Sequence, residues 1–205
     1  NWCTWMFGRD LVNWNNNFTW AKWVTPSRDL ISAFKQEGDE VRFKESIVYY
    51  DCNWSNYYPS DNYPFMYKCR SANSSIIKYR YADVLLLKAE ALIMQDTPDL
   101  EGAADIIDKV RDRAKLGALP TSVRSNKNAM LNALLKERRL ELAFEGQRWF
   151  DLVRLDKVEE VMNAVYAKDS GRKAQIYTFD KNSYRLPIPQ SVIDANDKIH
   201  QNPGY

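Results

Sequence analysis

The chain has 205 residues, 45% of them hydrophobic, enough for the core of one domain or of one large piece of one. Its 29 basic and 27 acidic residues are interspersed and leave a net charge of +2, which points away from nucleic-acid and anionic-membrane surfaces. No apolar run approaches the roughly 20 residues of a spanning helix. His200 is the only histidine, and Cys3, Cys52 and Cys69 are too few and scattered for a metal cage. Neither a metal nor a cofactor is therefore expected. Cys52 and Cys69 either pair across their loop or remain thiols.

Residues 1–67 hold 17 of the 27 aromatic residues and six of the seven tryptophans, mixed with Asn rather than with aliphatic residues. The segments NWCTWMFG, NWNNNFTWAKW and CNWSNYYPSDNYPFMY carry neither a sustained 3.6 nor a sustained 2.0 period and read as long ordered loops. Between them Thr25 is placed to cap a helix with Pro26 at its first position, Leu30, Ile31 and Phe34 on one face, and Gly38 past its end. Phe43 to Tyr50 then reads as a short strand, and Ser75 to Lys78 as another.

Arg80 to Gln95 follows as a helix whose apolar face is Ala82, Leu85, Leu86, Ala89, Leu92 and Ile93. After the turn Thr97-Pro98-Asp99, the spacing of Ala103, Ile106, Ile107, Val110 and Ala114 predicts a second helix ending near Gly117, so the pair forms a hairpin. From about Asn128 to Arg154 a single long helix is expected, because Leu131, Leu135, Leu142, Trp149 and Leu152 stay on one stripe. Gly146 inside it suggests that another backbone crosses closely there. Val158, Val161, Met162 and Val165 define a further helix. Leu186-Pro187-Ile188-Pro189 is extended, and Ser191 caps a last helical turn. The expected class is mainly α: tetratricopeptide-like helical hairpins with long aromatic-rich loops and a few short strands.

Arg138, Glu141, Glu145 and Arg148 lie in or beside the buried stripe, where unpaired charges would be costly. Their alternation at three- and four-residue steps predicts pairing along the helix, with neighbouring helices supplying the other partners. Glu141, Glu145 and Asp151 also suggest a glycosidase carboxylate pair, but each acid has an arginine within helical reach to keep it ionised. The structural reading of this network is preferred, and no catalytic residue is assigned. With seven glycines and no phosphate-loop pattern, nucleotide binding has no support.

The segment ERRLELAFEGQRWFDLVR at Glu137 to Arg154 resembles the signature helix of the SusD/RagB family of outer-membrane nutrient-binding lipoproteins. YRYADVLLLKAEAL with VRDRAKLGAL, and YRLPIPQSVIDAN with the terminal QNPGY, agree in order and spacing, so the resemblance spans Lys78 to Tyr205. Asp83 stands where family members more often carry Glu. The resemblance implies the C-terminal portion of such a protein, divided here into residues 1–77, facing the ligand, and residues 78–205, the helical region. It also implies a non-catalytic protein on the extracellular face of the outer membrane. Such a protein captures an oligosaccharide and delivers it to a TonB-dependent, SusC-like transporter, held to the membrane by a lipid anchor in the part preceding this chain. The alternative is a RagB-like protein that captures peptides; a glycoside hydrolase is a distant third.

Ligand contacts are expected from Trp2, Trp5, Trp14, Trp20, Trp54 and Tyr57. Indole and phenol faces suit the apolar face of a pyranose, while Asn13, Asn15, Asn16, Asn17, Asn53 and Asn56 suit its hydroxyls. The same rings would serve equally as anchors of a satellite core.

Overall fold

The structure, a computed structural model, describes residues 24–53, 55–68, 77–169 and 178–205. Trp2, Trp5, Trp14, Trp20, Trp54, Cys69 and Ser75 lie outside the described residues. The chain forms two compact units, Asn1–Arg148 and Trp149–Tyr205, and is mainly helical, as expected.

In the first unit, helix α1 (Arg28–Glu37) is capped by Ser27, whose Oγ accepts from the Leu30 N–H at 3.1 Å. It starts later than the Thr25-Pro26 pair suggested, because Pro26 is drawn into the interior and its carbonyl accepts the Tyr58 hydroxyl at 2.8 Å. Gly38 closes the helix at φ 69°, the left-handed conformation that glycine adopts without strain. Asp39 caps a short helix α2 (Glu40–Ser46), so the expected strand over Phe43–Tyr50 forms only as β1 (Ile47–Tyr50). An Asx cap at the head of EVRFKES decides the local contest against the β-branched run that follows. Strand β2 (Tyr63–Met66) pairs antiparallel with β1, from Ile47 opposite Met66 to Tyr50 opposite Tyr63. It falls in a segment expected to be loop: all four of its residues are buried, so no alternation marks the strand in the sequence.

Helices α3 (Tyr81–Met94) and α4 (Leu100–Arg113) make the expected hairpin, with Asp99 accepting from the Gly102 N–H at 2.9 Å. After a single turn, α5 (Thr121–Arg124), helix α6 (Lys127–Glu141) packs Met130 and Leu134 against Leu86, Ala89 and Ile93 of α3 and Ala103, Ala104, Ile107 and Val110 of α4. The far end of α6 serves a second cluster, in which Leu140 and the following Ala143 meet Ile31 and Phe34 of α1 and Ile47 of β1. Residues before and after position 77 thus share a core.

The long helix expected through Arg154 does not exist. α6 ends at Glu141, and Phe144 and Gly146 turn the chain at φ 65° and 80° before α7 (Arg148–Arg154) begins. Leu135, Leu142 and Leu152 are nonetheless buried, so the apolar spacing persisted across a break that periodicity does not register. No close backbone crossing explains Gly146 either. A Cβ built there meets nothing within 4 Å, and the glycine is required by its positive φ. Gly146→Ala is therefore expected to destabilise the chain by about 1–2 kcal/mol in urea unfolding, from left-handed strain. A continuous helix would give the opposite sign, a gain of about 1 kcal/mol.

The charged face of α6 ties these elements together. Glu137 Oε1 lies 2.6 Å from Arg42 Nη1 and Oε2 lies 3.3 Å from Arg111, which also reaches Glu37 at 2.6 Å. Glu141 receives Arg80 at 2.6 Å, Arg113 at 2.5 Å and Arg42 at 3.1 Å. Glu145 receives Arg80 at 2.7 Å and Lys68 at 2.5 Å, Arg138 reaches Asp83 at 2.9 Å, and Arg148 donates to the Leu135 carbonyl at 3.2 Å. Glu141 and Glu145 thus receive cations from α2, the residue that opens α3, α4 and the segment after β2, the neighbouring elements that the cost of burying charge calls for. Burial alone raises the Glu141 carboxyl, but hydrogen bonds and charge from Arg80, with Arg113 and Arg42, hold it below the ordinary carboxylate value. At Glu137 burial wins, and the carboxyl is raised despite Arg42 and Arg111. Burial likewise lowers the Lys68 ammonium against the pull of Glu145.

In the second unit, helix α8 (Val158–Lys168) is fastened by Asn163, whose side chain donates to the Phe179 carbonyl at 2.9 Å and accepts from the Phe179 N–H at 2.8 Å. The Phe179 ring sits 6.4 Å from Trp149 and 5.4 Å from Tyr166. A 3₁₀ turn (Lys181–Tyr184), closed by an Asp180 capping box, directs the Tyr184 hydroxyl to Asp156 at 2.7 Å, which pushes the phenol up to about 12. The terminal helix α9 (Gln190–Asp194) starts after Pro189, so Ser191 lies inside it rather than capping it.

Candidate functional site

The loop between β1 and β2 is closed on itself, the Cys52 N–H donating to the Ser60 carbonyl at 2.6 Å. Ser55 Oγ braces it from within, accepting from the Tyr57 N–H at 3.3 Å and sharing a hydrogen bond with the Tyr63 hydroxyl at 2.9 Å. Tyr58 then anchors the loop to the head of α1 through the Pro26 carbonyl. A compact loop held by its own side chains presents groups in fixed positions.

Its rings form a ladder. Tyr57 and Tyr58 meet edge to face at 4.8 Å between centroids and Tyr58 and Tyr63 at 5.5 Å, while Tyr63 and Phe65 lie tilted at 5.1 Å. Arg28, in the first turn of α1, lies 4.1 Å above the Tyr57 ring and 4.6 Å from that of Tyr58, and donates to the Tyr57 carbonyl. Each such cation–π contact is worth about 0.5–2 kcal/mol and holds the guanidinium in place.

Against this wall lies an open groove of about 920 Å³, bordered by Arg28, Asn53, Ser55, Asn56, Tyr57, Tyr58 and Ser60, with Cys52 and Pro59 completing it. A second groove of about 380 Å³, bordered by Arg28, Ile31, Ser32, Lys35, Gln36 and Tyr58, shares Arg28 and Tyr58 with the first. Rings that are half-buried and a rim of amides and hydroxyls supply what a hydrated, ring-shaped ligand requires: apolar faces to cover and donors and acceptors to match. Among the described lining residues there is no carboxylate. Nor, among the described residues, is any group of three or more His, Cys, Asp or Glu placed to hold a metal ion, and no described helix is long and apolar enough to cross a membrane.

Of the residues expected to contact ligand, the structure places Tyr57 in this groove, beside Asn53 and Asn56; the expected tryptophans fall outside the described residues. Arg28 and Tyr58 border both grooves without being among the expected contacts. Tyr58 adjoins an expected contact, whereas Arg28 comes to the loop across 29 residues, a closure that no local pattern announces. Arg138, Glu141, Glu145 and Arg148 do not border either groove. The side chains of Glu141 and Glu145 are 1% and 2% exposed and covered by cations.

The pattern of the family described as the SusD family matches residues 62–205. SusD-like protein P2 of Formosa agariphila is 35% identical over 143 residues, 66% of this chain and 27% of its own length. The chain therefore spans about a quarter of that relative. Among solved structures, a SusD superfamily protein from Bacteroides vulgatus matches 88% of this chain and 44% of its own, at TM-score 0.64 and 22% identity, a likeness of fold. A laminarin-binding SusD-like protein matches 88% of this chain and 38% of its own at TM-score 0.57 and 27% identity.

Proposed function

This chain belongs to the SusD family, and from that membership we propose that it is part of a non-catalytic cell-surface protein that captures oligosaccharides in the groove of Tyr57 and Tyr58. The observation that carries the reading is that groove, an aromatic wall with an amide and hydroxyl rim and no lining carboxylate among the described residues. A glycosidase would need two carboxyl groups about 5–10 Å apart facing the sugar. Glu141 and Glu145, the acids nearest to that pattern in sequence, are instead packed among cations and serve to fix α6 against its neighbours.

In this reading the captured glycan passes to a TonB-dependent, SusC-like transporter at the outer membrane, with the protein lipid-anchored on its extracellular face. Delivery requires release, so affinity belongs in the micromolar to millimolar range, about 4–8 kcal/mol. The laminarin-binding neighbour supports a glucan as the first ligand to try. Isothermal titration of the chain with laminarin oligosaccharides and with tri- to hexapeptides tests the proposal: saturable heat with a glycan supports it. Heat with the peptides alone would transfer the groove to peptide capture.

A further inference from the structure

Resting on the reading of the loop groove as a glycan site, we propose that the second groove continues it along α1, so that the site takes an internal stretch of a long polysaccharide rather than a chain end. The two grooves, of about 920 and 380 Å³, both have Arg28 and Tyr58 on their border. The first alone is near the upper size of a site that houses a small ligand, and both are open, so neither closes around a terminal sugar. On α1, Arg28, Ile31, Ser32, Lys35 and Gln36 recur at steps of three and four, which puts them on one side of the helix. At 1.5 Å per residue they lengthen the path by about 12 Å.

The chemistry of the extension repeats that of the first groove. Gln36 Nε2 donates to Ser32 Oγ at 3.1 Å, an amide beside a hydroxyl, while Ile31 and the stem of Lys35 supply apolar surface. Arg28 stands where the grooves meet and is occupied there, stacked on the rings of Tyr57 and Tyr58 and donating to the Tyr57 carbonyl, so it serves as wall and not as a free charge. Exposed charges beside the path have both signs: Lys35 on α1, and Asp51 and Asp61 next to the lining residues Cys52 and Ser60. Length, not charge, is what the path distinguishes. Helix α1 is also a firm platform, with Ile31 and Phe34 buried, Asp29 lying 2.5 Å from Arg139 and Glu37 lying 2.6 Å from Arg111. Contacts on it too weak to hold a free sugar add to the affinity of a chain already seated on Tyr57, because the second contact is then intramolecular.

The test is a calorimetric series on the chain with laminaritriose, laminarihexaose, borohydride-reduced laminarihexaose and maltohexaose. Laminarihexaose is expected to bind at least tenfold more tightly than laminaritriose, beyond the few-fold statistical gain of overlapping frames, and reduction of its end should change affinity less than twofold. Ser32→Ala with Gln36→Ala, neither residue being buried, should weaken hexaose binding about fivefold and leave triose binding within twofold. Tyr57→Ala should weaken both. Equal affinity for triose and hexaose, both lowered by Tyr57→Ala, would overturn the continuation along α1 and leave the glycan site standing. A hexaose preference undiminished in the Ser32 and Gln36 double variant would overturn it as well, by sending the longer chain along another path. Loss of binding on end reduction would replace the internal stretch with a chain end. Binding of none of the four sugars would remove the glycan reading itself.

Discussion

Glu141→Ala is expected to lower the stability of the chain by about 3–5 kcal/mol, the cost of breaking a buried ion pair from one side. The Glu141 side chain is 1% exposed and lies among Arg80, Arg113 and Arg42. Arg42 is 8% exposed at its side chain and already carries, at Nη2, a buried nitrogen with no hydrogen-bond partner among the described residues, so its remaining contacts with Asp39 and Glu137 would bear the whole charge. Since Arg42, Arg80 and Arg113 come from α2, the head of α3 and the end of α4, one carboxylate orders parts of the chain far apart in sequence. Urea unfolding followed by the helical signal measures the loss, and a loss under 1 kcal/mol would show that the network is solvated.

Acid should act on the same group. With its folded value held low, Glu141 contributes stability that is fully present above its unfolded pKa and is lost as pH falls through the folded value. Glu37, held low by Lys136 and Arg111 against the opposing effect of burial, adds in the same direction. Glu137 runs the other way: raised by burial, it favours the fold most when protonated and weakens it as pH rises through its titration. A Glu141→Gln chain is therefore expected to lose less stability than the parent between pH 7 and pH 3, and an equal loss in both would assign the acid sensitivity elsewhere.

The second large effect is on binding. Tyr57→Ala with Tyr58→Ala should weaken oligosaccharide binding at least tenfold, because two half-buried rings form the wall of the groove and each stacked ring is worth about 1–2 kcal/mol to a micromolar ligand. Tyr58 also anchors the loop to α1 through Pro26, so Tyr58→Phe, which keeps the ring and loses that hydrogen bond, separates stacking from loop support. The double variant should retain its helical signal, since the hairpin core of α3, α4 and α6 involves neither residue. Undiminished affinity in that variant would place the sugar away from this loop.

What the sequence disclosed follows from the range of the interactions involved. Helices α3, α4 and α8 were legible because their apolar periodicity and the cap at Asp99 are local. The break after Glu141 was not, since Leu142 and Leu152 remain buried on either side of it and a stripe carries no record of a left-handed turn at Phe144 and Gly146. The expected strand over Phe43–Tyr50 loses its first four residues to α2 because the Asx cap at Asp39 outweighs their propensity. The burial of charge along α6, and its need for partners from neighbouring elements, is legible from the cost of burying charge; which residues supply them is not. Arg42 and Arg80 reach Glu137 and Glu141 over 95 and 61 residues, distances at which pattern is silent. The groove shares that character: its loop composition suggested rings and amides, and the arginine that completes it arrives through the fold.

The most direct measurement of where this chain takes its ligand is the chemical-shift change of backbone amides as laminarin oligosaccharides are titrated into the labelled chain. Saturable shifts centred on residues 52–60 and the first turns of α1 are expected, with the hairpin of α3 and α4 silent. Shifts centred on the second unit, or none at millimolar sugar, would contradict the assignment of the groove.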